Sequence, residues 1–476
     1  MKAYLIIVTL FLYMAAQAQQ SPDSVQRFEP AQLLADWDTL YTQLQQNHPD
    51  LFAQWPRKEA DRAFKEFRKK LNRPLSRFQF DQLARKFIAG FQDGHTYVEA
   101  DFNSNDLLNY EKQGGRFFPL SISILNGKLY CADVSYTTAA IPLGAEIKAL
   151  NNRPAREVLQ TLMSLQSADD QRSGYVTIQR LFAFILWRAY GWGQNTKVEF
   201  VHNGQKQTIM VEGMTPADYK KVVFGTGPVR QLLLFPDAHL AVLQINSYNN
   251  VKASRSFIDS SFQIIKEKGI KHVALDLRKN GGGNSLIGDM VLAYITRKPY
   301  NGIYAKTWLN GPLMQAIPSD NWRFSSIEQA RSSWEQIAPN RYYKSFGPRQ
   351  PDSLARPELF SDAKFYLLTS GHTYSSSHMT ALSVKCGQLG TIIGQPSGER
   401  LDLTGEIAEF KLPNTKLSIW VPTALFTSAC GNGKQVGVQP DYYIPIRIED
   451  IQAGRDAEIT FLKELIQKEN KSLVHQ

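Results

Sequence analysis

Residues 273–285 of this chain read VALDLRKNGGGNS, a short apolar run that leads into three consecutive glycines. Such a run predicts a buried strand. Similar runs alternate with helical patterns along the second half of the chain: apolar runs at 240–245, 365–369 and 391–394, and helical patterns at 254–268, 286–295 and 376–384. The alternation predicts an α/β core with a mainly parallel sheet over residues 222–450, followed by a C-terminal helix at 451–476.

Chemistry in such a sheet sits in the loops beyond the carboxyl ends of its strands. The glycines at 281–283 allow backbone amides to approach a ligand, but the Lys-Ser/Thr ending of a phosphate-binding loop is missing and a turn without function remains open. The loop after the run at 365–369 reads SGHTYSSSHM and leads directly into a helix. Such a loop can present an oxygen nucleophile, although helix capping explains any single serine there equally well.

The remaining chain divides by pattern. Residues 19–100 show helical recurrence of apolar positions until glycines break it near FQDGHTYV at 91–98. His95 follows this glycine turn and is a candidate general base. Residues 115–213 contain hairpin signals at Asn126-Gly127 and Asn203-Gly204 with an apolar helix between them. We expect a helical N-terminal region and a separate middle module.

The N-terminus has the pattern of a secretory signal. A charged start, a short apolar run and Ala16-Gln17-Ala18 predict a signal peptide at 1–18 and a secreted or periplasmic mature chain without a transmembrane segment. The formal net charge of +10 is scattered, and no nucleic-acid motif accompanies it. An exported location permits a disulfide, for which Cys386 and Cys430 are our choice; buried free thiols explain the cysteines equally well.

Taken together, the loops resemble a known family. Asp-Gly-His-Thr at 93–96, Asp-Leu-Arg-x-Asn-x-Gly-Gly at 276–283 and Thr-x-Ser at 373–375 occur in the order typical of serine peptidase family 41, which comprises the carboxy-terminal processing (tail-specific) and tricorn-core peptidases. Gly394-Gln-Pro-Ser-Gly and Gly437-Val-Gln-Pro-Asp extend the resemblance. It implies a ClpP/crotonase-like peptidase core and, from residues 144–154, a PDZ-like middle module at 115–213.

The resemblance also implies the site residues. Ser375 corresponds to the nucleophile, and the N–H groups of Gly282 and Ser376 correspond to the oxyanion hole. The processing peptidases use a lysine base after the serine, but this chain has Glu399-Arg400 there, and arginine does not lose its proton. The tricorn-like branch uses the histidine of the first motif, so the base is assigned to His95.

The acid that orients the base is less defined by the motifs. Glu406 is similar to a glutamate that follows the Gly394 loop in related sequences, and Glu399 is the alternative; either could be a surface carboxylate without a role. His378, three positions after the nucleophile, is a rival base. Arg278 is expected to tie loops together rather than to contact substrate.

These residues predict an exported serine peptidase that hydrolyses unfolded proteins or peptides without a metal or organic cofactor. Two other classes remain open. One is a peptide-binding protein of the same fold with a degraded site, and the other is a hydrolase of non-peptide esters or carbohydrates, although no Gly-x-Ser-x-Gly elbow is present in a suitable context.

Overall fold

The computed structural model describes residues 26–474 except 101–104, 136, 138–139, 226, 322 and 355. The predicted signal peptide at 1–18 lies outside the described residues. No helix in the described part of the chain is both long and apolar enough to cross a membrane.

The N-terminal region is helical, as its apolar periodicity predicts. Its elements are β1 (Arg27–Phe28), α1 (Pro30–Asn47), α2 (Arg57–Arg68), β2 (Leu75–Ser76), α3 (Arg77–Ala89), β3 (Tyr97–Val98) and α4 (Asn105–Lys112). The buried ring of Trp37 packs against Phe64, Phe67, Phe80 and Phe87, so aromatic burial holds α1–α3 together.

The middle module is an antiparallel sheet packed on helices. Its elements are β4 (Ser121–Leu125), β5 (Lys128–Asp133), β6 (Glu146–Leu150), β7 (Arg153–Pro154), α5 (Ala155–Met163), α6 (Gln171–Tyr190), β8 (Asn195–His202), β9 (Gln205–Glu212) and α7 (Pro216–Phe224). The sheet order is β4–β5–β6–β8–β9, with β7 paired to β6. Both hairpins turn at the predicted Asn-Gly pairs, where Asn126 and Asn203 adopt the positive φ that this turn requires. The PDZ-like assignment stays a prediction.

The strands of the C-terminal part are β10 (Arg230–Phe235), β11 (Leu240–Ile245), β12 (His272–Asp276), β13 (Ile303–Leu309), β14 (Glu335–Ala338), β15 (Arg341–Ser345), β16 (Lys364–Thr369), β17 (Thr391–Gly394), β18 (Leu403–Gly405), β19 (Ala408–Lys411), β20 (Ser418–Val421), β21 (Ala424–Ser428) and β22 (Tyr442–Tyr443). The helices are α8 (Val251–Glu267), α9 (Leu286–Ile295), α10 (Pro312–Gln315), α11 (Phe324–Ser333), α12 (Ser376–Gly387), α13 (Ile448–Ala453) and α14 (Ala457–Val474). Short 3₁₀ turns lie at Pro236–Ala238 and Pro357–Leu359.

The main sheet confirms the predicted fold class. Its order is β10–β11–β12–β16–β17–β22, and every pair except β10–β11 is parallel. The central strands β12 and β16 are buried along most of their length, which explains why they read as continuous apolar runs. Because β12, β16 and β17 are parallel, the loops that follow them meet at one edge of the sheet.

A second sheet, in the order β14–β15–β13–β21–β18, was not foreseen from the sequence. Strands β19 and β20 pair with each other, and β20 also pairs with β3 of the N-terminal region. This pairing and the shared apolar core of the two regions pack the N-terminal region, including the loop before β3 that contains His95, against the C-terminal part of the chain.

Covalent and ionic cross-links fasten the C-terminal part. Cys386 at the end of α12 forms a disulfide with Cys430, which confirms the predicted pair. Arg278 binds Asp276 at the end of β12, and it also pairs with Asp456 and Glu458 at the start of α14. Arg278 therefore ties loops together as expected.

Candidate active site

The loops after β12 and β16 border a cleft of about 1080 Å³. The second sheet and the middle module form its other walls. Its lining includes His95, Ser375 and Ser376, together with apolar side chains such as Trp308 and Phe426. Residues that are far apart in sequence thus meet in one cavity of the size that ligand sites usually have.

Ser375 lies at the junction of the loop after β16 and the first turn of α12. Its backbone has φ 55° and ψ −126°, a region that non-glycine residues rarely adopt. The neighbouring chain is close: a Cβ added to Gly282, at φ +104°, would lie 2.7 Å from Cβ of Ser375. Glycine at 282 thus permits the approach of the two loops, and the serine sits on a strained strand-to-helix turn of the kind that exposes nucleophiles.

Glu399 connects Ser375 to His95. The loop after β17 carries this residue, whose side chain is only 1% exposed. Its Oε2 atom accepts a hydrogen bond from the backbone N–H of Ser375 at 2.7 Å. Its Oε1 atom lies 2.9 Å from Nδ1 of His95, an ion-pair distance at which the angular alignment falls short of a regular hydrogen bond. Burial raises the pKa of Glu399, and the adjacent His95 only partly offsets this.

His95 is buried and surrounded by carboxylates. Burial by itself lowers the pKa of this imidazole, but Glu399, Asp93 and Asp169 together outweigh it and raise the pKa to about 9. The ring centroid lies 5.0 Å from that of Tyr374, the residue before Ser375. His95 thus lies between Glu399 and the loop that carries Ser375, although none of the hydrogen bonds among the described side chains joins it to Ser375.

Asp93 shapes the turn that carries His95. Its Oδ1 atom accepts the N–H of His95 at 2.9 Å and the hydroxyl of Thr404 at 2.9 Å. Its Oδ2 atom lies 2.6 Å from Nε2 of His48. Because Nδ1 of His48 accepts the N–H of Asp50, the proton of the neutral ring is on Nε2 and faces Asp93. Burial acts to raise the pKa of Asp93, yet the bond from His48 and the neighbouring His95 keep that pKa well below its usual value.

The structure does not bring Glu406 to His95. Its side chain, 43% exposed, forms an ion pair with Lys306 on the wall of the cleft. The turn before β19 gives Glu406 a positive φ and directs it toward β13. Glu399, the alternative from the sequence, occupies the position beside His95 instead.

The two predicted oxyanion donors differ in their availability. The N–H of Ser376 has no acceptor among the described residues, as expected at the first position of a helix. The N–H of Gly282 instead donates to Oδ1 of Asn280 at 2.8 Å, so it is not free in this conformation. Gly283, the next residue, lines the cleft.

His378 lies away from the cleft, on the buried side of α12. Its Nδ1 atom lies 2.8 Å from the hydroxyl of Ser397. Because Ser397 already accepts the N–H of Val438, its own proton is available for this imidazole nitrogen. Burial lowers the pKa of His378 to about 3. This histidine is not among the residues that line the cleft, and none of its hydrogen bonds among the described residues is to Ser375.

Two features of the site were undervalued or missed in the sequence. Glu399 stands 24 residues after Ser375, close to where the processing peptidases have their lysine, and this spacing was its available signal. Asp169, from the middle module, approaches the site without any motif to mark it. Among the described residues, no group of three or more His, Cys, Asp or Glu side chains is arranged to hold a metal ion.

Comparisons with known proteins concern the family and the fold of the chain. Residues 239–444 match the family model described as Peptidase family S41. Mature CPAF complexed with lactacystin has a TM-score of 0.66 at 14% identity, covering 94% of this chain and 99% of that chain. A serine-to-alanine mutant of CPAF has a TM-score of 0.67 at 14% identity, and the match covers 92% of this chain and 97% of that chain. These likenesses show the fold along nearly the whole chain. No curated protein matches the chain in sequence.

Proposed function

Since the chain belongs to peptidase family S41 through residues 239–444 and is accordingly a serine peptidase, we propose that it is an exported enzyme in which Ser375 attacks the peptide carbonyl. His95 takes the proton from Ser375 and Glu399 orients the imidazole. The observation that carries this proposal is the bridging carboxylate: one oxygen of Glu399 faces Nδ1 of His95 and the other binds the N–H of Ser375.

The roles follow from the chemistry of acyl transfer. With Nδ1 of His95 held at Glu399, Nε2 is the nitrogen left to accept the proton of the serine hydroxyl and return it to the leaving amine. The nearby carboxylates stabilise the imidazolium that forms in this step. The same stabilisation is the cause of the raised pKa of His95. The tetrahedral oxyanion would lie at the N-terminus of α12, where the N–H of Ser376 is one donor.

The second oxyanion donor is assigned to the glycine loop at 281–283. Gly282 takes this role when its N–H turns from Asn280 toward the substrate, a change within reach of a loop whose Gly282 and Gly283 both have positive φ. Apo sites often hold such donors in other bonds and align them when substrate is bound.

The substrate class is peptides or unfolded protein segments. The cleft combines aromatic and apolar walls with the polar loops of the site, and a volume of about 1080 Å³ accommodates several residues of an extended peptide. The disulfide between Cys386 and Cys430 supports an exported location, because such bonds persist in oxidising compartments. The signal pattern at residues 1–18 supports the same location.

A serine-reactive fluorophosphonate tests the proposal directly. We expect residues 19–476 to be labelled at Ser375 and to fragment a disordered protein such as casein, whereas Ser375→Ala does neither. Ser370→Ala, which removes a hydroxyl from the same loop, is the matched control and should still be labelled at Ser375. Labelling of another residue would refute the assignment of the nucleophile, and retention of casein without cleavage would favour a binding protein.

A further inference from the structure

Asp169 is a buried carboxylate that the proposed reaction does not use. It belongs to the connection between α5 and α6 in the middle module, and its side chain is 7% exposed. Its Oδ2 atom accepts the phenol O–H of Tyr374 at 2.7 Å and the N–H of Gly94 at 3.3 Å. Its Oδ1 atom accepts Nη1 of Arg400 at 2.9 Å, and its backbone oxygen accepts Nη2 at 2.7 Å. Every one of these partners lies outside the middle module.

The partners of Asp169 share one property. Gly94 precedes His95, Tyr374 precedes Ser375 and Arg400 follows Glu399. One carboxylate therefore holds the immediate sequence neighbours of the base, the nucleophile and the orienting acid. Those loops come from distant parts of the chain, and each contact is made by the residue whose displacement would move the adjacent group.

The packing leaves little room for these loops to shift. A Cβ added to Gly94 would lie 2.2 Å from the phenol oxygen of Tyr374 and 3.1 Å from Oδ2 of Asp169. Arg400 is held a third time by the backbone oxygen of Gln92, at 2.7 Å, in the turn that carries His95. The loops are thus packed directly on the carboxylate.

We infer that Asp169 is a positioning residue, through which the middle module sets the geometry of His95, Ser375 and Glu399. The inference rests on the roles proposed for those residues. The middle module thereby helps to hold the active site in shape, whether or not it also binds a peptide.

The charge of Asp169 gives this role a measurable signature. Burial and the neighbouring Glu399 and Asp93 raise the pKa of Asp169 to about 7, so it is ionised at the higher pH where His95 titrates. Ionised Asp169 adds to the raised pKa of His95. The charged or titratable groups that face Asp169 are His95, Asp93, Glu399, Arg400, Tyr374 and Arg172.

The test compares Asp169→Asn with Asp170→Asn in residues 19–476. Asp170 caps α6, is not among the residues that line the cleft and pairs with Arg172. Asparagine is an equally good cap, so this control removes a neighbouring charge without removing any contact to Gly94, Tyr374 or Arg400. The rate constant for fluorophosphonate labelling is measured across pH. For Asp169→Asn we expect a maximal rate about 10–100-fold lower than in the wild type. We also expect the rising limb of the profile to move to lower pH by roughly 0.5–1 pH unit, because the imidazolium loses a neighbouring anion.

An unchanged rate and limb in Asp169→Asn would overturn the inference, and so would an equal loss in Asp170→Asn. If Asp169→Asn does not fold, Tyr374→Phe replaces it. That variant keeps the ring beside His95 but removes the hydroxyl that Asp169 holds, and a labelling rate equal to the wild type would then overturn the inference. Failure of the wild type to be labelled at Ser375 is a separate result, which contradicts the proposed function.

Discussion

Replacing Glu399 with glutamine tests the central contact of the site. A carboxylate accepts on both oxygens, and here it serves both Nδ1 of His95 and the N–H of Ser375. The amide of glutamine has one acceptor and one donor group. Either the Ser375 N–H or Nδ1 of His95 must therefore face an NH₂ group. If Nδ1 of His95 faces it, that nitrogen must accept a hydrogen bond, so the proton of the neutral imidazole moves to Nε2. In this tautomer Nε2 cannot accept the proton of Ser375.

The magnitude follows from the pKa of His95. Its rise from the usual 6.5 to about 9 corresponds to ~3 kcal/mol in favour of the imidazolium, to which Glu399 is the leading favourable contributor. Loss of this stabilisation in the transition state is worth about 100-fold in rate. The wrong tautomer can extend the loss to about 10⁴-fold, as in other serine peptidases whose buried acid becomes an amide.

The assay is the rate constant for fluorophosphonate labelling between about pH 5 and 10. The wild type should gain activity as pH rises through about 9, because the base must lose its proton first. In Glu399→Gln the maximum should fall, and the rising limb should move to lower pH by about 1–2 units. Glu406→Gln, a carboxylate of the same cleft paired with Lys306, is the matched control and should change the rate less than about tenfold.

The reasoning would be refuted by a Glu399→Gln variant that keeps the rate within about threefold of the wild type and has the same pH limb. A larger loss in Glu406→Gln than in Glu399→Gln would return the role of orienting acid to Glu406. Circular dichroism and the melting temperature of each variant separate these outcomes from misfolding.

Other perturbations test the framework around the site. Changing Cys386 and Cys430 to serine opens a loop with a sequence separation of 44 and should lower the free energy of unfolding by ~2–4 kcal/mol in denaturant titration; no change would contradict a stabilising bond. Arg278→Met leaves the carboxylates of Asp276 and Asp456 without their cation and should cost about 3 kcal/mol by the same measurement, whereas a neutral effect would mean that the loops hold without it. His378→Gln should leave the labelling rate at Ser375 within about threefold, because its side chain is off the cleft. In the unfolded chain His378 is protonated below about pH 6.5, whereas in the folded chain it is protonated only below about pH 3. The free energy of unfolding of the wild type should therefore fall as the pH drops from about 6.5 to about 3, and that of His378→Gln should fall less. Equal pH slopes for the two proteins would contradict this account.

The elements of the main sheet were predictable because burial on both faces leaves an unambiguous pattern. The runs at 240–245 and 391–394 became β11 and β17 with the same bounds, and the helical pattern at 286–295 became α9. The second sheet was not predicted, because strands such as β14 are exposed along their whole length and show no apolar pattern.

Which glutamate lies beside His95 could not be settled from the sequence. Glu399 and Glu406 both follow the apolar run at 391–394, and nothing in their spacing states which way a side chain points. The turn at Glu406 directs it to Lys306, while the loop after β17 returns Glu399 to the start of α12. Glu399 stands close to the position at which the processing peptidases have a lysine. Because a lysine and a glutamate do different chemistry, this match suggested no role for Glu399, and it remained the alternative to Glu406.

By itself, the sequence determined the fold class and the position of the serine-rich loop that leads into α12, because each depends on local pattern or on motifs in fixed order. It offered the Cys386–Cys430 pair only as one of two alternatives, and the structure decided for the disulfide. Only the tertiary structure decided which carboxylate faces His95, that the N–H of Gly282 is held by Asn280, and that Asp169 reaches the site from the middle module. Those contacts join residues that are far apart in the chain. The sequence does not reveal these contacts, because side-chain direction and long-range packing leave no periodic pattern in it.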